Sequence, residues 1–268
     1  MAIFVTELQY TKMIFHYHNT PIHYHKQGTG PVIVMLHGFL ESSTMWQKIA
    51  AVLSKKNTVV MVDLPGFGQS GVLDKTHTME AMATIVCEVL AFENFKSATL
   101  LGHSMGGYVA LAFGELFPKK LDKLILLNSS PTPDSASRKE NRDRALTIID
   151  KNKDAFITMA IGNLFNAEEK SKHTLAIKGL KNEALHISAN GVTAAIKAMR
   201  DRKDRRTLLK NIPCEKHIIA GTLDLIIPHQ DVVAISKQTN TTLHSIESGH
   251  MSWLTNGPEV ITLLQGIV

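Results

Sequence analysis

The sequence has no apolar run approaching the roughly 20 residues that a membrane-spanning helix needs. Its first ten residues, Met1 to Tyr10, lack the basic stretch and long apolar segment of a secretory leader. A soluble, cytoplasmic protein with no membrane partner is the expectation. Cysteine is scarce: Cys87 and Cys214 are the only two in 268 residues. They are far apart, so free buried thiols in a reducing compartment are expected and a disulfide scaffold is excluded. A chain of this length can bury a sufficient core without such staples. There is also no aromatic platform beside the basic clusters at Arg138–Arg144 and Lys197–Lys210, where acidic residues are interspersed. The net charge of +5 is therefore read as solvated helical faces, and no nucleic-acid partner is expected. Repeats and low-complexity tracts are missing too.

What is present is an alternation of short apolar runs with helical patterns. Val32–Leu36, Thr58–Asp63, Ala98–Leu101 and Lys123–Asn128 read as strands buried on both faces, as in a parallel sheet. Helical patterns at Met45–Lys55, Met79–Phe92 and Gly107–Phe117 separate them. Such alternation implies right-handed crossovers and a doubly wound, mostly parallel eight-stranded α/β sheet. Residues 13–26 read as a hairpin that turns at Asn19-Thr20-Pro21. Period-two alternation puts Phe15, Tyr17, Ile22 and Tyr24 on one face and His16, His18, His23 and His25 on the other. No carboxylate or cysteine completes a metal site among those histidines, so no metal and no cofactor are expected.

From Pro131 to Asn211 the pattern is helical and charged. Strand patterns return at Cys214–Ala220 and Thr242–Ile246, and a helix from Pro258 to Ile267 closes the chain. The expected organisation is a core of residues 1–130 and 212–268, with 131–211 inserted as a helical cap. The oligomeric state is expected to be monomer or homodimer.

The chain is organised around Gly102-His103-Ser104-Met105-Gly106, which lies between a strand pattern and a helix pattern. This is the nucleophile-elbow arrangement G-x-S-x-G. A serine hydroxyl is a poor nucleophile at neutral pH and needs a base, itself oriented by a carboxylate. Gly221-Thr222-Leu223-Asp224 and Gly249-His250 each follow a strand pattern and so fall at the carboxyl ends of parallel strands. Ser104, Asp224 and His250, in that chain order, are the candidate nucleophile, acid and base.

These pieces, with His37-Gly38-Phe39 and Asp63-Leu64-Pro65-Gly66-Phe67-Gly68-Gln69-Ser70, resemble the α/β-hydrolase superfamily over nearly the whole chain. Within it, the chain is similar to the capped group of small carboxylesterases, cofactor-free haloperoxidases, carbon–carbon bond hydrolases and the lyase SHCHC synthase. The resemblance implies an oxyanion hole at the backbone N–H groups of Phe39 and Met105. Asp63 is expected to bond its own loop, and His103 to be structural. Epoxide hydrolases and haloalkane dehalogenases are set aside: they attack with aspartate where Ser104 stands, and Leu40 replaces the proline that commonly follows His-Gly-x.

The expected activity is hydrolysis of a small-molecule carboxylic ester with a small or medium acyl group, through an acyl-enzyme. A lyase using the same triad to remove a proton, or a non-catalytic small-molecule binding protein, are the alternatives. Met159, Ile161, Leu164, Phe165 and Met199 of the cap, with Trp253, are the candidate substrate-pocket residues. The cap holds neither Trp nor Tyr, which suggests an aliphatic acyl site.

Overall fold

The computed structural model describes residues 11–73 and 75–268; the expectation drawn from residues 1–10 lies outside them. The strands are β1 (Thr11–Tyr17), β2 (Thr20–Gln27), β3 (Val32–Leu36), β4 (Thr58–Val62), β5 (Ala98–His103), β6 (Leu121–Leu127), β7 (Glu215–Gly221) and β8 (Thr242–Ile246). They form one sheet in the order β1-β2-β4-β3-β5-β6-β7-β8. β1 with β2 and β2 with β4 are antiparallel, and every other pairing is parallel. The central strands are apolar because helices cover both their faces: all of β4 and all of β5 are buried.

Alternation along each strand sorts the core into two layers. Ile33 and Met35 pack with Ile49 and Leu53 of α1 (Gln47–Leu53). Val34 and Leu36 face the opposite way, towards α2 (Met79–Phe92) and α3 (Met105–Leu116). The Thr78 hydroxyl caps α2 by accepting the Ala81 N–H.

Between β6 and β7 the chain forms α4 (Ala136–Gly162), α5 (Ala167–Lys172), α6 (Thr174–Leu185), α7 (Ala189–Arg200) and α8 (Arg206–Asn211). α4 is interrupted at Asn152, whose backbone is non-helical (φ −158°, ψ 86°). It packs against α6 and α7. α9 (His229–Thr239), beyond the helices expected from the sequence pattern, precedes β8; α10 (Ser252–Thr255) and α11 (Gly257–Ile267) follow it. α11 joins α1 on the second face through Val260 and Leu264.

Two expectations are corrected. The hairpin turns at His18-Asn19, both with positive φ (44° and 68°), the conformation of a tight two-residue hairpin turn. His18 is therefore a turn residue that leaves the face shared by His16, His23 and His25, and His25 is buried where β2 pairs with β4. Among the described residues no group of three His, Cys, Asp or Glu side chains converges as a metal site. The second correction concerns the basic run at 197–210, which is not uniformly solvated. Arg205 is buried and pairs with Glu80 and Glu115 at 2.7 and 2.8 Å. Arg202 is buried beside Asp134 (2.7 Å), its guanidinium 4.2 Å above the Tyr108 ring. Among the described residues no helix is long and apolar enough to cross a membrane.

Candidate active site

β5 ends at His103 and α3 begins at Met105, leaving Ser104 alone in the turn with φ 47° and ψ −112°. Such a backbone costs about 1–3 kcal/mol and persists only where its surroundings over-determine it. The surroundings here are tight. A Cβ on Gly102 would lie 2.4 Å from the Gly106 carbonyl carbon, and one on Gly106 would lie 2.1 Å from the Leu36 oxygen. Both glycines are there because two backbones meet.

Ser104 Oγ lies 3.0 Å from His250 Nε2, and His250 Nδ1 lies 2.9 Å from Asp224 Oδ2. Asp224 only accepts when ionised, so Nδ1 carries the imidazole proton and Nε2 is free to accept from the serine hydroxyl. Asp224 Oδ1 accepts the backbone N–H groups of Ile226 and Ile227 at 2.8 and 2.9 Å. Burial alone would raise the Asp224 carboxyl, but His250 and these N–H groups outweigh it and hold it below the usual carboxylate range. Asp231, the nearest other carboxylate in sequence, is exposed in the first turn of α9.

Sequence reasoning missed Asn128. It follows β6 with φ 45°, and its amide donates to Asp224 Oδ2 (3.0 Å) and to the Gly249 carbonyl (3.2 Å). Ser252 Oγ donates to the Asn128 side-chain oxygen. An asparagine just past a buried strand is the available signal, since Asn tolerates the left-handed region better than most residues. Asp63 bonds its neighbourhood, accepting from the Ser43 N–H (2.8 Å) and the Gln69 N–H (2.9 Å).

The loop after β3 is set by His37, fully buried, whose Nε2 accepts the Leu64 N–H at 2.9 Å and whose Nδ1 donates to the Gly38 carbonyl at 2.8 Å. Leu40 adopts φ 64° there. A proline ring forbids that angle, so this loop takes a path that a proline at residue 40 could not follow.

A cavity of about 380 Å³ opens over Ser104 and His250. Phe39, Leu164 and Met199 line it, whereas Met105 is fully buried at the start of α3. Four candidate pocket residues, Met159, Ile161, Phe165 and Trp253, do not line it. Met159 is 50% exposed, on the solvent side of the turn of α4 that sends Phe156 and Ala160 to the cavity. Phe165 is only 1% exposed and belongs to the core. Trp253 donates its indole N–H to Glu41 Oε1 at 3.2 Å. Phe156, Ala160 and Ile196 take their places, and Tyr108 contributes an aromatic wall from α3.

Arg138 and Arg142, one turn apart on α4, also line the cavity, with Asn141 and Asn163. Arg142 pairs through Nε with Asp134 (3.1 Å), which Arg202 already neutralises. Arg138 donates to the Ile226 carbonyl, a neutral acceptor. This wall therefore carries more positive than negative charge.

Fold and site together define a class, and the family comparison names it. The chain belongs to the α/β hydrolase fold family, whose model matches residues 31–257. An uncharacterized protein of Mycobacterium tuberculosis is 36% identical over 102 residues, 38% of this chain; the match spans only 30% of that relative's length. A pimeloyl-[acyl-carrier protein] methyl ester esterase of Pseudoalteromonas atlantica is 31% identical over 215 residues, 75% of this chain and 79% of the relative. Among solved structures, a thermophilic esterase from Thermogutta terrifontis, described as malate bound, superposes with a TM-score of 0.88 at 28% identity, covering 96% of this chain and 97% of its own.

Proposed function

We propose that this hydrolase cleaves carboxylic esters of small molecules through an acyl-enzyme on Ser104. The observation that carries the reading is the continuous relay from Ser104 Oγ through His250 to Asp224, at 3.0 and 2.9 Å. His250 takes the serine proton as Oγ attacks the ester carbonyl, and Asp224 stabilises the imidazolium that forms. The oxyanion meets the backbone N–H groups of Phe39 and Met105, the latter at the positive end of α3. Losing one such donor typically costs about 10²–10³ in turnover. His250 then returns the proton to the leaving alcohol, and water, activated by the same imidazole, releases the acid.

In this reading residues 131–211 act as a cap over the reaction centre. Its apolar wall, Phe156, Ala160, Leu164 and Met199, takes an aliphatic acyl group, and Arg138 and Arg142 select substrates bearing an anionic group. The esterase names of the relative from P. atlantica and of the Thermogutta structure support the reaction class. The two free thiols, Cys87 and Cys214, fit a reducing cytoplasm.

The test is a panel of p-nitrophenyl esters of graded chain length, with mass spectrometry of the quenched enzyme. A burst of nitrophenol and an acyl adduct on Ser104 are expected. The arginines favour one second reading, a lyase that uses His250 to remove a proton from an anionic substrate. Turnover of SHCHC synthase's substrate without any adduct on Ser104 would select that reading instead.

A further inference from the structure

Beside the relay lies a second carboxylate–imidazole pair that the proposed reaction does not use. The side chains of Glu41 and His103 are only 3% and 1% exposed, and Glu41 Oε2 lies 2.8 Å from His103 Nδ1. Every polar atom of the pair is engaged. Glu41 Oε2 also accepts the Gly38 N–H at 2.6 Å, and Oε1 accepts the Trp253 indole N–H at 3.2 Å. His103 Nε2 lies 3.0 Å from the His250 carbonyl oxygen. A carbonyl oxygen only accepts, so Nε2 bears a proton. A carboxylate that already accepts two N–H groups is held as the anion, so Nδ1 bears one as well. Hydrogen-bond accounting thus makes His103 an imidazolium.

The electrostatics agree. Burial by itself would lower the His103 pKa, but the charge and hydrogen bond of Glu41 outweigh it and leave the ring above its usual value. Burial would raise Glu41, and His103 outweighs that in turn, leaving the carboxyl below its usual range. The other groups facing the pair are His250 and Asp224 on the relay side and His37 at the end of β3. Arg138 and Arg142 line the cavity over Ser104 with it, and Asp63, His25, Glu183 and His186 line a smaller one that Glu41 also borders.

The pair touches the three segments that the reaction requires. Gly38 precedes Phe39, His103 precedes Ser104, and His250 is held by its own carbonyl while its ring stands 5.2 Å from that of His103. A Cβ at residue 38 would come 2.4 Å from Glu41 Oε2 and 2.8 Å from His103 Nδ1, so this glycine lets the loop close on the pair. We propose that Glu41 and His103 are positioning residues, an ion pair that locks the Phe39 loop and the His250 backbone to the nucleophile elbow. The proposal rests on the serine-hydrolase reading. Its pH signature follows from the donors: an imidazole that loses a proton must release either the carboxylate or the carbonyl. The lock is closed at neutral pH and opens as pH rises through the raised His103 pKa, giving kcat an alkaline limb.

Glu41→Gln tests this. Without the anion, burial is no longer offset and His103 stays neutral at lower pH. The variant should lose about tenfold to a hundredfold in kcat, with KM for a neutral ester changed less than about twofold. Its alkaline limb should move to lower pH while the acid limb stays. Unchanged kcat and an unmoved alkaline limb would overturn the proposal. Nitrogen NMR of the wild-type His103 ring decides the same point without any variant: two protonated nitrogens at neutral pH are expected, and a neutral ring overturns it. Fluorophosphonate labelling of wild-type Ser104 separates the two readings. A wild type that is not labelled sinks the hydrolase reading; a labelled wild type with an indifferent Glu41→Gln sinks only the ion-pair lock.

Discussion

The elbow helix and the long helix above it follow opposite plans. Ten of the twelve residues of α3 are buried, and its first turn meets the β3 backbone so closely that a methyl group at residue 106 has no room. Of the 27 residues of α4, only Ile149, Phe156, Ile157 and Ile161 are buried. A helix packed on nearly every side leaves little freedom for the residues at its start, and Ser104 is held in a strained turn. A helix packed along one narrow stripe is free to vary nearly everywhere else. In the proposed reaction, the chemistry resides at the start of the first and the choice of substrate along the second.

Substitutions can separate the two. The largest effect should come from Ser104→Ala, which is expected to remove labelling by a fluorophosphonate and to lower turnover by on the order of 10⁶. An adduct mapping to Ser129 or Ser130 would place the nucleophile elsewhere. Next comes Asp224→Asn. Oδ1 can keep the Ile226 and Ile227 contacts, but the orienting anion beside His250 is lost. Turnover should drop by about 10⁴ with the fold intact. Retention of more than about a tenth of the wild-type rate would point to a different carboxylate.

Changes on the α4 side should alter selection and leave the chemistry. Arg142→Gln is expected to raise KM for an ester bearing a carboxylate, at about 1.5–3 kcal/mol per lost charge-assisted hydrogen bond, while a neutral ester of equal length is unaffected. Equal effects on both esters would return Arg142 to a purely structural partner of Asp134. Leu164→Ala should shift chain-length preference by about 1–3 kcal/mol per methylene-scale change, read as the ratio of kcat/KM across the ester panel. The smallest effect on activity is expected from Met159→Ala, half exposed and outside the cavity. Phe165→Ala is its buried counterpart: it should cost about 3–5 kcal/mol of stability, seen as a lowered Tm, without reordering the panel. A reordered panel from either would bring those residues back to the substrate.

The frame was legible in the linear sequence because its constraints are local. Apolar runs five to six residues long are buried strands, α2 spans Met79–Phe92 as its pattern indicates, and the glycines around Ser104 mark a turn where two backbones touch. Chain order and strand ends singled out Asp224 and His250 before any distance was known. Tertiary structure alone decided the rest. Period-3.6 patterning names a helix but not which face of α4 meets the cavity, so Phe156 and Ala160 line it and Leu164 reaches it from just past the helix end, while Met159 points to solvent. Charge runs look alike whether solvated or buried; only packing put Arg202 over Tyr108, shared Asp134 between two arginines, and turned Arg138 and Arg142 inward. Asn128 and the Glu41–His103 pair lay out of reach for the same reason. Apart from the Gly38 N–H, their partners are 62 to 212 residues away in the chain, and a hydrogen bond across that separation exists only once the fold has brought those segments together.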